Sequence, residues 1–456
     1  MDRQRTKEMD LTVGSPFLSI LKFAIPVIIG NLFQLFYTLA DSIIVGKTLG
    51  SEALAAVGST SIIIYFVFCF VNGFTSGFGI CLGQMCGAKD EEGMRKSVAA
   101  STLLCVGFTL ILTVVCCLLS TSILKWMKIP SEIFSRAYDY MFIVLLGTGA
   151  TIFYNMISNM LRALGDSKTP LYFLVFSSIL NIILDIVFIV SFHMDVEGAA
   201  WATILSQFLS ALFSLLVGLK DYKVLRLTLK DFKNLKGAIS KHLKIGFPMG
   251  FQMSLMCIGQ LSMQGVVNSL GTAAIAGYTA ASKADQLSVL VNNAMMTAIS
   301  SYVAQNYGAG RIDRIREGVR ASLIQLESLN LIMCIGIIIL RHPIVDMFMS
   351  NATVEIYHYS DLYLTIVAPC YFILGLLAVY RTTIQSMQNG RAPFAACMIE
   401  LVMRIAATLG LSGVLGYISV CIASPLAWFG ASALLIPVYY KMVRKHISPN
   451  TLSSTL

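Results

Sequence analysis

The sequence predicts an all-α integral membrane protein built from two similar halves. Three observations predict it: a strongly apolar composition, long uninterrupted apolar stretches, and a resemblance between the two halves of the chain. Of the 456 residues, 56% are hydrophobic and 12% are charged, about half the ~25% charged residues of an average soluble protein. This composition excludes an ordinary water-soluble enzyme. It also excludes a disordered chain, which would be poor in hydrophobic residues.

Twelve apolar stretches are long enough to cross a bilayer as helices, which takes about 20 residues. They are residues 17–45, 54–82, 98–124, 137–161, 170–192, 198–219, 242–269, 275–304, 321–340, 362–387, 393–415 and 417–440. A membrane β-barrel would show alternating segments of about ten residues, whereas 179–190 and 331–340 are continuously apolar. The first stretch is too long for the apolar part of a signal peptide, so we predict an uncleaved first span.

The basic residues predict the orientation, because cytoplasmic loops collect Lys and Arg. With the N-terminus inside, the cytoplasmic segments hold 26 of the 33 Lys and Arg residues, the outer loops hold five, and two (Lys283 and Arg404) lie within spans. We therefore predict that both termini are cytoplasmic. The formal net charge of +9 is explained by this asymmetry, without a nucleic-acid partner.

A basic stretch, 220–244, divides the chain near its middle. It is interpreted as a linker that follows the positive-inside rule, the alternative being a patch for anionic lipid or nucleic acid. The predicted organisation is a cytoplasmic N-terminal segment (1–16), an N-lobe (17–219), a cytoplasmic linker (220–241), a C-lobe (242–440) and a cytoplasmic tail (441–456).

The two halves resemble each other at an offset of 221 residues: 49–55 corresponds to 270–276, and 84–88 corresponds to 305–309. Each half has six predicted spans, an even number, so both halves begin on the same side of the membrane. The repeat is therefore parallel, with its pseudo-two-fold axis along the membrane normal. Such duplication is typical of carriers that bind their substrate between two lobes.

Four polar residues in the first lobe form a candidate ion site. Charged side chains within spans are costly and are functional candidates by default, which singles out Asp41 and Asp185. Asn181 lies one turn from Asp185 on the same helix face, and Thr203 lies at a comparable depth, counted at about 1.5 Å per residue. Their oxygens suit a hard cation such as Na⁺, and the carboxylates are equally suited to carrying protons. A purely structural role, with both acids hydrogen-bonded between helices, is the alternative.

Several runs resemble multidrug and toxic compound extrusion (MATE) transporters, over essentially the whole chain: 26–32, 40–42, 45–46, 49–50, 53–58, 161–166 and 305–310. The resemblance implies a twelve-helix, two-lobed antiporter that exports amphiphilic, often cationic drugs or metabolites in exchange for Na⁺ or H⁺. It implies alternating access between the lobes and no cofactor.

The resemblance also bears on the site. In one MATE branch an Asp of the first span, an Asn and an Asp of the fifth and a Thr of the sixth form the cation site, and Asp41, Asn181, Asp185 and Thr203 match that pattern. Another branch uses acids in the seventh and tenth spans, and this sequence departs from it. Candidate substrate-cavity residues are the polar or adaptable side chains Asn31, Gln34, Tyr37, Gln252, Met256, Gln260, Lys283, Glu400 and Arg404. Glu400 and Arg404 are spaced for an intrahelical ion pair, or alternatively act in gating or substrate binding.

Other functional classes lack their signatures. The sequence has no His-Glu-x-x-His, Gly-x-Ser-x-Gly or Walker motif, so we expect neither an enzyme nor an ATP-driven pump. The 11 cysteines lie mostly in apolar stretches without metal-ligand spacing. The rival function is a flippase for lipid-linked oligosaccharides of the same superfamily, which should have a strongly cationic cavity. We expect a monomer in the bilayer of a bacterial inner membrane.

Overall fold

The regular structure of the chain is helical throughout the residues that the computed structural model describes, 9–348 and 352–452. This confirms the predicted all-α membrane class. Parts of two predicted segments, residues 1–8 of the N-terminal segment and 453–456 of the tail, lie outside the described residues. The chain divides into two compact units: unit 1 contains Ile29–Phe251 and the described part of Met1–Asp10, and unit 2 contains Leu11–Ile28 and Gln252–Leu456.

Fifteen α-helices follow one another along these residues. The first seven are α1 (Pro16–Thr48), α2 (Ser51–Gly87), α3 (Glu91–Trp126), α4 (Ser131–Leu146), α5 (Thr148–Ala163), α6 (Lys168–Asp185) and α7 (Val196–Asp221). The other eight are α8 (Lys236–Ser269), α9 (Thr272–Gly308), α10 (Ile312–Phe348), α11 (Val354–Val367), α12 (Tyr371–Ser386), α13 (Arg391–Ile405), α14 (Ser412–Leu415) and α15 (Tyr417–Leu452).

The predicted spans coincide with these helices. Within the described residues, ten helical segments are long and apolar enough to cross a membrane, and the bent pair α4–α5 makes an eleventh. The twelfth predicted span, 242–269, lies in α8, which is 34 residues long. Its apolar stretch is interrupted by Gln252, Gln260 and Gln264, and it is not among the ten segments.

Helix breaks recur at matching places in the two halves. In the first half the chain bends by 42° between α4 and α5, at Gly147. In the second half a 3₁₀ turn that contains Pro369 separates α11 from α12. The helices α6 and α13 each continue into a π-helical turn, Ile186–Ser191 and Ala406–Gly410 respectively. The internal repeat therefore extends to the irregularities of the helices.

Residues in two of the runs that resemble MATE transporters, 161–166 and 305–310, form hydrogen bonds near helix ends. In unit 1, the Asp166 carboxylate accepts hydrogen bonds from the Thr169 amide at 2.9 Å and from the Tyr222 hydroxyl at 3.1 Å, at the start of α6. In unit 2, the Asn306 amide group donates to the Leu11 carbonyl at 3.0 Å, and Arg314 donates to Asn306 at 3.0 Å. These bonds satisfy buried backbone and side-chain groups that would otherwise destabilise the fold.

Glycines bring α2 and the first part of α8 into close contact within unit 1. A Cβ atom at Gly73 would lie 2.3 Å from the carbonyl oxygen of Met249, and one at Gly77 would lie 2.6 Å from the Cα atom of Gly246. Only a residue without a side chain allows such backbone approach. Phenylalanines fill the space around this crossing, with Phe74 packing against the rings of its neighbours at 4.6–5.8 Å.

Two helices are divided between the units, each close to an internal proline. The unit assignment changes within α1 after Ile28, two residues beyond Pro26, and within α8 after Phe251, three residues beyond Pro248. Proline removes one helical hydrogen bond and weakens the helix at that point. The predicted lobes begin instead at residues 17 and 242, and they stay a prediction.

Candidate ion and substrate sites

The four predicted ion-site residues all belong to unit 1. Helix α1 carries Asp41, α6 carries Asn181 and Asp185 one turn apart, and α7 carries Thr203. Helices α6 and α7 pack along each other, and the Asn181 amide group donates to the Thr203 hydroxyl at 3.4 Å. The carboxyl groups of Asp41 and Asp185 are close enough to interact electrostatically. The structure therefore brings the four residues together.

This cluster is rich in acceptor oxygens that have no donor. Asp185 is completely buried and Asn181 is 1% exposed, while Asp41 is half-buried. Both carboxylate oxygens of Asp185, Oδ1 of Asp41 and Oδ1 of Asn181 are buried without a hydrogen-bond partner among the described residues. Two bare carboxylates repel each other strongly in an apolar interior. The arrangement is therefore suited to holding a cation between the acids or a proton on one of them.

Aromatic hydroxyls and an amide complete the surroundings of the acids. Tyr140 of α4 interacts electrostatically with both Asp41 and Asp185. Tyr37 of α1, a predicted cavity residue, interacts with Asp41 and lies within hydrogen-bonding reach of Gln207. Gln207 follows Thr203 by one helical turn, which is the sequence signal that could have identified it.

The other predicted cavity residues of α1 are more peripheral. Gln34 is exposed and Asn31 is half-buried, and the backbone oxygen of Gln34 accepts a hydrogen bond from Thr38. Neither side chain has a contact with the acid cluster among the interactions of the described residues. An exposed polar side chain within a membrane helix is consistent with a wall of a polar cavity, which stays a prediction for both.

In unit 2 the structure brings together four of the predicted cavity residues. Met256 of α8 and both Glu400 and Arg404 of α13 line one narrow crevice. Gln252 lies beside it, because its backbone oxygen accepts a hydrogen bond from Cys397, another lining residue, at 3.5 Å. The Gln252 side chain is buried and accepts from Gln385 of α12 at 2.7 Å. The remaining two predicted residues, Gln260 and Lys283, have exposed side chains.

The predicted intrahelical pair of Glu400 and Arg404 is wrong. Glu400 instead accepts from Arg381 of α12 at 2.7 Å, and the two side chains are 2% and 4% exposed. Arg404 turns towards α8, where a Cβ at Gly259 would lie 2.9 Å from its Nη1 atom. Spacing along a helix permits a pair but does not choose between that partner and one on a neighbouring helix. Arg381 itself lies buried in α12.

Charges of both signs meet around Asp285 of α9. The Tyr371 hydroxyl donates to the Asp285 carboxylate at 2.8 Å, and Arg404 interacts with the same carboxylate electrostatically. Glu327 of α10 is absent from the candidate set above, although it is the one charged residue in the apolar stretch 321–340. Both of its carboxylate oxygens are buried without a hydrogen-bond partner among the described residues.

Comparison with known proteins agrees with this architecture. The model of the MatE family matches residues 26–187 and again 248–429, one match in each half of the chain. The probable multidrug resistance protein YpnP of Bacillus subtilis strain 168 is 33% identical over 309 residues, which cover 68% of this chain and 69% of that protein. The multidrug export protein MepA of Staphylococcus aureus strain MSSA476 is 23% identical over 441 residues, covering 95% and 96%.

Solved structures share the fold. The outward-facing conformation of a multidrug resistance MATE family transporter of the MOP superfamily aligns with a TM-score of 0.89 at 23% identity, covering 97% of this chain and 99% of that one. The two family matches, the relatives of similar length and this fold agree with one another. The chain belongs to the MATE family of multi-pass membrane transporters.

Proposed function

We propose that the protein is a secondary antiporter that exports amphiphilic, often cationic compounds in exchange for Na⁺ or H⁺. The observation that carries this proposal is the Asp41–Asp185 pair with its unpartnered buried oxygens. Two acids placed together in a membrane helix bundle at an energetic cost are explained by an ion that neutralises them for part of a cycle. The relatives' names, which state probable multidrug resistance for YpnP and multidrug export for MepA, support a similar range of substrates.

The ion and the substrate are coupled if the ion site changes when the lobes alternate in access. Asp41, Asn181, Asp185 and Thr203 hold the coupling ion in the N-lobe (17–219). The substrate cavity is lined by the polar residues of α1, α8, α9 and α13 predicted from the sequence. The protein works as a monomer in a bacterial inner membrane, with both termini in the cytoplasm and a cytoplasmic linker at 220–241.

The test is efflux of a cationic dye from proteoliposomes under separately imposed Na⁺ and H⁺ gradients. Asp41→Asn and Asp185→Asn should each abolish the response to whichever gradient drives the wild-type protein. Losing one charged ligand costs on the order of 2 kcal/mol of ion binding, which is about thirtyfold in affinity. Asp139→Asn, which removes an acid near the middle of α4 and outside the cluster, is the control and should transport like the wild-type protein.

Two outcomes contradict the proposal. One is full gradient-driven efflux by Asp41→Asn at normal expression, which would make the acid pair structural. The other is a wild-type protein that responds to neither gradient but moves a lipid-linked oligosaccharide, which would favour the flippase.

A further inference from the structure

A second unpartnered carboxylate lies in unit 2, on a helix without an acid at the matching position of the first half. Glu327 lies 15 residues after the start of the 37-residue helix α10, roughly 22 Å along a helix of about 55 Å. Its counterpart in α3, at the repeat offset of 221, is Val106. The acid is therefore near the middle of its span and is peculiar to the second half.

The surroundings of Glu327 leave its charge without compensation. Both carboxylate oxygens are buried, and neither has a hydrogen-bond partner among the described residues. The ion pairs of the described residues do not include it either. An isolated carboxylate in an apolar interior is strongly destabilising unless a cation or a proton neutralises it. An acid at this position is therefore costly unless it is neutralised.

A glycine makes room for the carboxyl group. Gly375 of α12 faces α10, and a Cβ atom at this position would lie 2.6 Å from Oε1 of Glu327 and 2.7 Å from Nδ2 of Asn330. Any side chain at Gly375 would displace one of these groups. The helices α10 and α12 therefore form a cradle that fits a carboxyl group.

The cradle lies at one end of a hydrogen-bonded polar chain. Asn330 donates to the backbone oxygen of Tyr371 at 3.0 Å and accepts from Asn292 of α9 at 3.0 Å. The Tyr371 hydroxyl in turn donates to Asp285. In the same region of α9, the side-chain oxygens of Ser288 and Asn292 are also buried and unpartnered. Polar groups thus connect the neighbourhood of Glu327 with the neighbourhood of Asp285.

The ionisable groups on the helices packed against α10 are few near Glu327. On α11, Asp361 pairs with Arg341 and His342 at the far end of α10, and Tyr363 interacts with Asp285 and Tyr371. Helix α9 presents Asp285, and α12 presents Tyr371, which is bonded to that acid. The thiols of Cys334, on α10 itself, and Cys370, on the 3₁₀ turn before α12, interact with each other. Helix α15 approaches α10 at its cytoplasmic end, where Tyr439 lies near two arginines, Arg316 and Arg320. No basic side chain among the described residues interacts with Glu327.

We propose that Glu327 binds and releases a proton within unit 2, as a second ion-carrying carboxyl group distinct from the Asp41–Asp185 pair. Its role in transport rests on the proposed antiport. A proton fits the site better than Na⁺, because the polar group beside the carboxyl group in the cradle is the side-chain nitrogen of Asn330, on the same helix, whereas Na⁺ needs several oxygen ligands. The proton moves between the carboxyl group and water or a neighbouring polar group, so no further reactant is involved.

The test observes the proton itself. Infrared difference spectra of the purified full-length protein, recorded between low and high pH, should contain the C=O band of a protonated carboxyl group that Glu327→Gln removes. Glu327→Asp should retain a shifted band. Gly375→Ala, which presses a methyl group against the carboxyl group, should also shift it. Glu317→Gln is the matched control, since Glu317 lies exposed on the same helix, and it should leave the band unchanged.

Proteoliposomes separate this inference from the antiport proposal. With a gradient-driven wild-type protein, Glu327→Gln should shift the pH profile of dye efflux and lower the number of protons exchanged per dye molecule. Identical infrared spectra and pH profiles for Glu327→Gln and the wild-type protein would overturn the inference, even if Asp41→Asn abolishes efflux. If the wild-type protein ignores every gradient, antiport fails, and the carboxyl band alone decides whether Glu327 takes up a proton. If Glu327→Gln does not fold, unshifted bands in Glu327→Asp and Gly375→Ala would count against the proposal.

Discussion

The buried carboxylates of this protein fall into two electrostatic settings. Glu400 has a guanidinium partner at 2.7 Å, although its Oε2 lacks a donor. In contrast, both oxygens of Asp185 and of Glu327 are buried without any donor among the described residues, as is Oδ1 of Asp41. A buried ion pair joins its two helices, and because its two charges neutralise each other it does not need a mobile ion. Unpartnered acids need a proton or a cation from outside the protein, and they are therefore where transported ions bind in our proposals.

The Arg381–Glu400 pair should contribute to stability and not to ion coupling. Glu400→Gln leaves the buried Arg381 without a counter-charge, and breaking a buried pair in this way costs about 3–5 kcal/mol. We expect a clear drop in the thermal unfolding midpoint of the purified protein. The double variant Arg381→Met/Glu400→Leu should lose much less, because apolar residues replace both charges.

An exposed pair serves as the control for this prediction. Arg136 and Glu52 lie 3.3 Å apart on exposed side chains, so Glu52→Gln should change stability by about 0–1 kcal/mol. An equal loss in Glu52→Gln and Glu400→Gln, or a double variant as unstable as the single one, would show that burial is not the deciding factor.

Residue types and depth along the chain predicted the acid cluster, but they did not predict which residue pairs with Glu400. Asp41, Asn181, Asp185 and Thr203 are all polar residues in apolar spans, and counting residues from span ends places them at one level. The partner of Glu400 depends on how α12 and α13 are rotated about their axes. That rotation depends on packing between helices and cannot be predicted from the sequence of one helix. The spacing of Glu400 and Arg404 therefore indicated a different pair.

At the scale of helices, the crossing of α2 with α8 depends on small residues. Close backbone approach between membrane helices is typical where glycine removes the side chain from the interface. Because Gly73 and Gly77 lie one turn apart on α2, the contact extends along the helix. The spacing of Gly73 and Gly77 therefore determines where α2 and α8 cross.

Gly73→Ala should disturb this crossing. Its methyl group would lie 2.3 Å from the carbonyl oxygen of Met249, so the backbone of α8 has to shift, and overpacking of this kind costs about 1–3 kcal/mol. We expect a lower thermal unfolding midpoint in detergent. Gly107→Ala on α3 is the matched control, because no atom lies within 4 Å of its added Cβ. If Gly107→Ala lowered the unfolding midpoint as much as Gly73→Ala, the steric explanation would be contradicted.

The sequence predicts the helices well and their irregularities poorly. Continuous apolar runs specify the spans, because a membrane helix satisfies all of its backbone hydrogen bonds internally. The 42° bend between α4 and α5 falls inside one apolar run, at a single glycine that an unbroken helix would also tolerate. Since the bend depends on packing within unit 1, local sequence did not reveal it.

At the scale of the whole molecule, the distribution of charge predicts that both termini are cytoplasmic. We expect protease-cleavable tags at the two ends to be resistant in intact, right-side-out cells and to be cut in inverted membrane vesicles. A tag inserted in the predicted outer loop between α3 and α4, which contains Lys128, should show the opposite pattern. Cleavage of either terminal tag in intact cells would contradict the orientation.

The predicted lobes are continuous along the chain, because periodicity and composition reveal helices but not their packing partners. The compact units are not continuous: Leu11–Ile28 belongs with Gln252–Leu456, and the first part of α8 belongs with the unit that begins at Ile29. A sequence-based division at the basic linker assigns these parts of α1 and α8 differently from the contact-based units, and it stays a prediction. The prediction that the two lobes move relative to each other during transport is separate from this division by contacts.

The divided helices have a consequence for biosynthesis. The segment Leu11–Ile28 is synthesised early, yet the rest of its unit begins only at Gln252. At about 5–20 residues per second of translation, these 18 residues wait roughly 11–45 s for their partners to emerge from the ribosome. Unit 1 likewise stays incomplete until Phe251 has been made. Unit 2 therefore cannot fold in the order of synthesis, and a chain released at the basic linker would leave both units unfinished.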